Sequence, residues 1–358
     1  MDVDLQFSQM SLSEGNYSLG QRVRHAGLET YHRSGLAPTP QEHRIITLGH
    51  ASILDLIDRS PATSQLCTLF PLEQERHDLL ARFQGLSFSC PLLTPPSQDE
   101  LLIHSHVCLL LAEHAGLLDT RTYVLRQMLE GGTSACDELM LLLIMVDALI
   151  HRPTWLAGQE GSPQDWMSVL WRPLLERILL ASRQSETDLA FEEYGSSFPP
   201  SSLPSDLPCP TFTMSAEDSD GSSSARIRVA RGGQQSIDAV AIRVLPPGPP
   251  DTTKDSVGSK ILCEAKSIVD SLTALPVHNT NTILTNIAYG IEIEGRTAVI
   301  FSMRWVASQP CYLAWPEHRF TLPATGEGLG AFKEAIRALF WLRERLQDTS
   351  ARVQASII

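Results

Sequence analysis

The chain is poor in lysine and carries no closely spaced cysteine pair. Only four of its 358 residues are lysine, and all four lie beyond residue 224. The seven cysteines are scattered without any Cys-x-x-Cys pair, which argues against a disulfide framework or a zinc knuckle. We therefore expect an intracellular protein, nuclear or cytoplasmic and not secreted, whose cysteines are reduced.

Long apolar runs are also missing. The most apolar stretch, Leu139 to Ile150, has roughly half the length that a bilayer requires, and Asp147 interrupts it. The first residues, Met1 to Asp4, lack the basic and apolar regions of a signal peptide. The sequence therefore predicts neither a membrane segment nor a secretion signal.

Charge divides the chain into two parts. Residues 1–224 contain 13 arginines and 29 acidic residues, a net charge of −16, whereas residues 225–358 have a net charge of +3. This asymmetry predicts a domain boundary near residue 224. A weakly basic second part would tolerate the phosphate backbone of DNA or RNA without being specific for it.

The first part is predicted to be helical. Residues 1–40 are polar and predict a mobile or loosely docked arm, and residues 41–194 form a helical domain in which Asp55 and Asp58 lie towards solvent. Ser, Pro and acidic residues then predict a linker over 195–224. Apolar spacing places the helices at 45–56, 72–83, 101–116, 120–130, 134–150 and 164–182, the last of which could instead belong to the following domain.

The second part, residues 225–358, alternates short apolar segments with turn-forming residues. Strands are predicted at 225–229, 237–244, 260–266, 297–306 and 311–322, with helices at 282–293 and 330–346. Within the predicted strand 260–266, Glu264 and Lys266 would point to the same face. If the strand that carries Asp238 pairs alongside, a second carboxylate reaches the same end of the sheet. Two carboxylates on rigid strands suit Mg²⁺ or Mn²⁺.

Asp238, followed about two dozen residues later by Glu264-Ala265-Lys266, resembles the PD-(D/E)XK nuclease-like superfamily, and in particular its divergent fungal members. The resemblance covers residues 225–346. Ile237 stands where that family has proline, and the upstream helix carboxylate is not assigned, with Glu176 and Glu186 as candidates. The expected fold is α+β: an all-α N-terminal region followed by a mixed-sheet, restriction-endonuclease-like α/β domain.

The resemblance implies a metal-dependent nuclease that hydrolyses phosphodiester bonds in DNA or RNA. In such an enzyme, Asp238, Glu264 and the Ala265 carbonyl would bind Mg²⁺ or Mn²⁺. Lys266 would position the attacking water and offset the charge that develops on the phosphate.

Other interpretations of the same residues stay open. Glu264 and Lys266 could be a solvated pair, and Asp238 could end a turn. The chain could then be a non-catalytic interaction protein, with a protein partner on its helical domain and an inactive nuclease-like module, or a transcriptional or chromatin regulator. In the helical domain, His104, His106, Cys108 and His114 make a poor metal site, because residue 106 points away from the face shared by 104 and 108.

Overall fold

The computed structural model describes ten stretches of the chain, namely residues 18–35, 37–57, 65–84, 103–130, 136–158, 161–180, 211–214, 222–231, 235–275 and 286–355. They contain helices and one mixed sheet, which confirms the predicted α+β class with a helical N-terminal region. The predicted linker at 195–224 lies mostly outside the described residues.

Within its described residues, the N-terminal region contributes ten α-helices and one short strand. The helices are α1 (Leu19–Ser34), α2 (Pro40–Ala51), α3 (Gln65–Leu69), α4 (Glu73–Gln84), α5 (Ile103–His114), α6 (Leu117–Glu130), α7 (Cys136–His151), α8 (Pro153–Gly158), α9 (Pro163–Trp166) and α10 (Arg172–Leu180), and the strand is β1 (Ile53–Asp55). A π-helical turn, Met167–Trp171, joins α9 to α10. It comes just before Pro173, which has no N–H to donate and disturbs regular α-helical bonding.

In the part of the C-terminal region that the structure describes there are six strands and two α-helices. They are β2 (Thr211–Met214), β3 (Ser223–Arg231), β4 (Gln235–Leu245), α11 (Asp251–Thr273), β5 (Ile287–Glu294), β6 (Thr297–Val306), β7 (Cys311–Thr321) and α12 (Phe332–Ala355). The sheet order is β1-β7-β6-β5-β4-β3-β2. β1 runs parallel to β7, and β2, β3 and β4 are antiparallel neighbours.

β4 and β5 run parallel. The N–H of Gly295, just after β5, donates to the carbonyl of Leu245 at the end of β4, so that the carboxyl ends of the two strands lie side by side. Parallel neighbours need a long crossover between them, and α11 is part of that connection.

Two predicted elements of the C-terminal region are wrong. Residues 260–266 belong to α11 and are not a strand, and residues 287–293 belong to β5 and are not the second half of a helix. The apolar run at 260–266 is short enough to fit either structure. Over the whole of α11, however, the buried positions recur at helical spacing, as at Val257, Ile261, Ala265, Ile268 and Leu272.

The prediction of a mobile or loosely docked arm over residues 1–40 does not hold for residues 19–34. Residues 19–34 form α1, which begins at a capping box between Ser18 and Gln21. α1 packs closely on α2, because a Cβ on Gly27 would lie 2.9 Å from the Cα of Gly49. Residues 1–17 lie outside the described residues.

The chain divides into two compact units, each assembled from separate stretches. The first contains residues 1–93, 250–291 and 300–317, and the second contains residues 94–249, 292–299 and 318–358. These units do not follow the domain boundaries predicted along the sequence. Asp238 belongs to the second unit, whereas Glu264 and Lys266 belong to the first.

The core of the first unit gathers the buried apolar side chains of several elements. One cluster joins α1, α3 and α4 to the ends of β1, β6 and β7, and its buried members are Leu19, Val23, Leu54, Leu56, Leu66, Phe70, Leu79, Val306, Cys311 and Leu313. In the same unit Gly290 leaves room for a neighbour on the sheet: a Cβ there would lie 2.0 Å from a ring carbon of Phe301.

Candidate functional site

Asp238 lies near the start of β4 and is held by two arginines of β3. Nη1 of Arg226 is 2.7 Å from Oδ2, and Nε of Arg228 is 2.6 Å from Oδ1. Arg228 is the register partner of Asp238, and the ladder shifts between Ile227 and Arg228. Both carboxylate oxygens of Asp238 therefore already carry a charged hydrogen-bond partner.

The two arginine side chains are more exposed to solvent than the carboxylate that they share. The side chains of Arg226 and Arg228 are 41% and 37% exposed, against 18% for Asp238. Residues two apart on a strand point to the same face, so the guanidinium groups are neighbours. With one carboxylate between two cations, these three side chains have a formal net charge of +1.

Glu264 and Lys266 do not point to the same face, as they would on the predicted strand. On a helix, residues two apart are separated by about 200° around the axis, so they do not share a face as they would on a strand. Both residues lie within α11, as does Ala265, which is buried. A carbonyl in the middle of a helix accepts the N–H four residues on, so the Ala265 carbonyl does not lie on a strand as the resemblance implies for a metal ligand.

Lys266 forms an ion pair and a cation–π contact within the first unit. Its Nζ is 2.5 Å from Oδ2 of Asp270, one helical turn on, and 4.6 Å from the ring centre of Tyr312. The phenol of Tyr312 donates to Oδ1 of the same aspartate. Burial, and then the hydrogen bond to Asp270, raise the pKa of Tyr312. Trp305 completes the group, with its ring 4.8 Å from that of Tyr312.

No metal centre is formed among the described residues: no group of three or more His, Cys, Asp or Glu side chains is arranged to hold a metal ion. Asp238 is a poor metal ligand because the positive charges of two arginines beside it repel a cation, and Glu264 lies on a helix. These residues do not fit the predicted Mg²⁺ or Mn²⁺ site as they stand. Of the two upstream carboxylate candidates, Glu176 pairs with Arg172 on α10, and Glu186 lies outside the described residues.

Two helices of the second unit share a buried polar group that the sequence did not indicate. Oε1 of Glu138 on α7 accepts the backbone N–H of Ser105 at 2.8 Å and its hydroxyl at 2.6 Å. The Ser105 N–H lies in the first turn of α5, so Glu138 caps that helix from another helix. Burial raises the pKa of Glu138, while the bonds from Ser105 act in the opposite direction.

The histidines and cysteine of α5 differ in their surroundings. His104 lies 3.0 Å from the Tyr123 hydroxyl, Cys108 is buried, and His106 and His114 are exposed. Burial, and then the charge of Glu138, raise the pKa of the Cys108 thiol to about 12. A thiol with such a pKa is a poor nucleophile at neutral pH.

A buried charged group lies in the first unit. Arg44 on α2 binds Asp55 at 2.6 Å and Asp255 on α11 at 3.2 Å, and all three side chains are buried. This corrects the prediction that Asp55 faces solvent on a helix, because it ends β1 instead. The apolar pattern could not reveal the pairing, since Arg44 and Asp255 are 211 positions apart.

No family model, curated protein or solved structure matches this chain. Within the described ranges, no helix is long and apolar enough to cross a bilayer.

Proposed function

We propose that this chain is a non-catalytic interaction protein. The observation that carries the proposal is the state of Asp238, whose two carboxylate oxygens bind Arg226 and Arg228. Two adjacent guanidinium charges oppose the approach of a divalent cation, and a catalytic carboxylate must be free to exchange a proton or a water. Asp238 instead acts as a counter-ion that orients two arginines.

Lys266 supports the same proposal. Its ammonium group is paired with Asp270 and lies over the Tyr312 ring. A lysine that positions water beside a phosphate would have to leave both partners. The pairing makes Lys266 part of the surface packing between α11 and β7.

The metal-dependent nuclease is the second candidate, and it stays a prediction from the resemblance. The Asp238, Glu264 and Lys266 set, Mg²⁺ or Mn²⁺ as cofactor and DNA or RNA as substrate all belong to it. A nuclear or cytoplasmic location and a protein partner on the helical region are likewise predictions.

A cleavage assay separates the two functions. Wild type, Asp238→Asn and Lys266→Ala would be incubated with plasmid DNA and with single-stranded RNA, in Mg²⁺ or Mn²⁺ and in a chelator. The interaction protein leaves both nucleic acids intact in every condition. Metal-dependent cleavage that disappears in both variants would establish the nuclease and refute the proposal.

A further inference from the structure

Three side chains on β3 and β4 form a hydrogen-bonded group, here called the arginine surface. They are Arg226, Arg228 and Asp238. The two arginines are two positions apart on β3, so their side chains leave the same face of the strand about 6.7 Å apart. Each bond to Asp238 uses one guanidinium nitrogen, whereas an arginine carries five N–H donors in a planar fork. The exposed N–H groups of each guanidinium can donate hydrogen bonds to a further anion.

The internal carboxylate indicates which anion suits this surface. Asp238 bridges both guanidinium groups with charge-assisted bonds, so a carboxylate matches the chemistry and the spacing of the pair. An extended peptide presents alternate side chains on one side, at the same repeat as the two arginines. A segment with acidic residues at alternate positions therefore complements the arginine surface in charge and in period.

We propose that the arginine surface binds an extended acidic segment of a partner protein. The inference rests on the proposed interaction function and names the partner's chemistry. Asp238 has two opposing effects: it orients the guanidinium groups, and its negative charge weakens the attraction for an incoming carboxylate. Removing that charge while keeping the side-chain shape strengthens binding, which is the opposite of what removal of a metal ligand would do.

The test uses the full chain and two short fluorescein-labelled peptides, one of alternating Glu and Ser and one of alternating Gln and Ser. Fluorescence anisotropy is measured for wild type, Asp238→Asn and the Arg226→Gln/Arg228→Gln double variant. We expect wild type to bind the Glu peptide and not the Gln peptide. Asp238→Asn binds about three- to fivefold more tightly, and the double variant binds about tenfold more weakly.

A second ion pair of the same unit serves as a control, because it tests whether removing any paired carboxylate raises the affinity for the peptide. Arg121 pairs with Asp147 at 2.6 Å, and both side chains are partly exposed. Asp147→Asn frees a single arginine and should leave peptide affinity unchanged. Circular dichroism checks the fold. If Asp238→Asn does not fold, the Arg226→Lys/Arg228→Lys variant replaces it, and it should bind less tightly than wild type because it loses the planar forks.

Several results would overturn the inference. They are an Asp238→Asn affinity equal to or below that of wild type, an equal gain in Asp147→Asn, or a double variant that binds as wild type does. Stronger binding of Asp238→Asn to an oligothymidylate than to the Glu peptide would assign the surface to a phosphate backbone instead. Failure to bind the peptide without any nucleic-acid cleavage refutes this inference alone, whereas Asp238-dependent cleavage refutes the proposed function.

Discussion

Arg44 and Asp55 form an ion pair in the interior of the first unit, with 2.6 Å between Nη2 and Oδ2 and side-chain exposures of 10% and 1%. Asp255 of α11 binds the same guanidinium. One cation thus holds the end of β1 and the first turns of α11 against α2. Buried charges are stable only while they remain paired, so this group should be sensitive to the loss of one partner.

Replacing Arg44 with methionine removes the cation that binds two buried carboxylates. We expect Arg44→Met to lower the free energy of unfolding by about 3–5 kcal/mol. Urea unfolding monitored by circular dichroism measures the change. Glu29→Gln, which breaks an exposed pair with His25 in the same unit, should change it by less than about 1 kcal/mol. Equal effects in the two variants would contradict the role assigned to Arg44.

Gln65 closes the outer edge of β1. Its side chain accepts the Asp55 N–H at 2.9 Å and donates to the Ile53 carbonyl at 3.0 Å, as a neighbouring strand would. Gln65→Leu should cost about 1–3 kcal/mol because both backbone groups lose a partner, and the open edge should promote association. Urea unfolding and light scattering test these effects. Gln74→Leu on the exposed face of α4 is the control, and equal association of both variants would refute the edge role.

Gly290 should not tolerate a side chain while Phe301 is present. A Cβ would lie 2.0 Å from the ring, so Gly290→Ala should destabilise the protein by about 1–3 kcal/mol. Adding Phe301→Leu should recover part of this loss, because the smaller side chain leaves space. Thermal unfolding of both single variants and the double variant forms a complete cycle. Additive losses in the double variant would argue against direct contact.

Glu138 should make stability depend on pH. Burial raises its pKa in the folded protein above the unfolded value, so the folded state holds the proton more tightly. Its contribution is present at low pH and is lost as pH rises from about 4.3 through the folded pKa. Glu138→Gln should therefore gain stability relative to wild type as pH rises through that range, as measured by urea unfolding at several pH values. A pH-independent difference would contradict this assignment.

Most of the secondary structure could be predicted from apolar spacing. The helices at 72–83, 134–150 and 330–346 lie within a few residues of α4, α7 and the first part of α12, and the strands at 237–244 and 297–306 match β4 and β6. The error at 260–266 arose because seven residues cannot distinguish a buried strand from a buried helix. The longer range from Val257 to Leu272 indicates a helix, because its apolar residues recur every three or four positions.

The candidate site was harder to predict, because its partners are set by tertiary packing. The sequence predicts Asp238 as a metal-binding carboxylate, but its arginines lie 10 and 12 positions earlier, on a strand whose register only the fold determines. Lys266 was paired with Glu264 on the strength of the predicted strand. In the helix it meets Asp270 four positions on, as ion pairs on helices commonly do.

The central claim is that Asp238 is a counter-ion for Arg226 and Arg228 and not a metal ligand. Isothermal titration of Mn²⁺ into wild type and into Asp238→Asn tests it most directly, with an Asp147→Asn control. We expect the same titration curve for all three proteins. Binding of Mn²⁺ by wild type that Asp238→Asn loses and Asp147→Asn retains would contradict it and restore the metal-dependent nuclease.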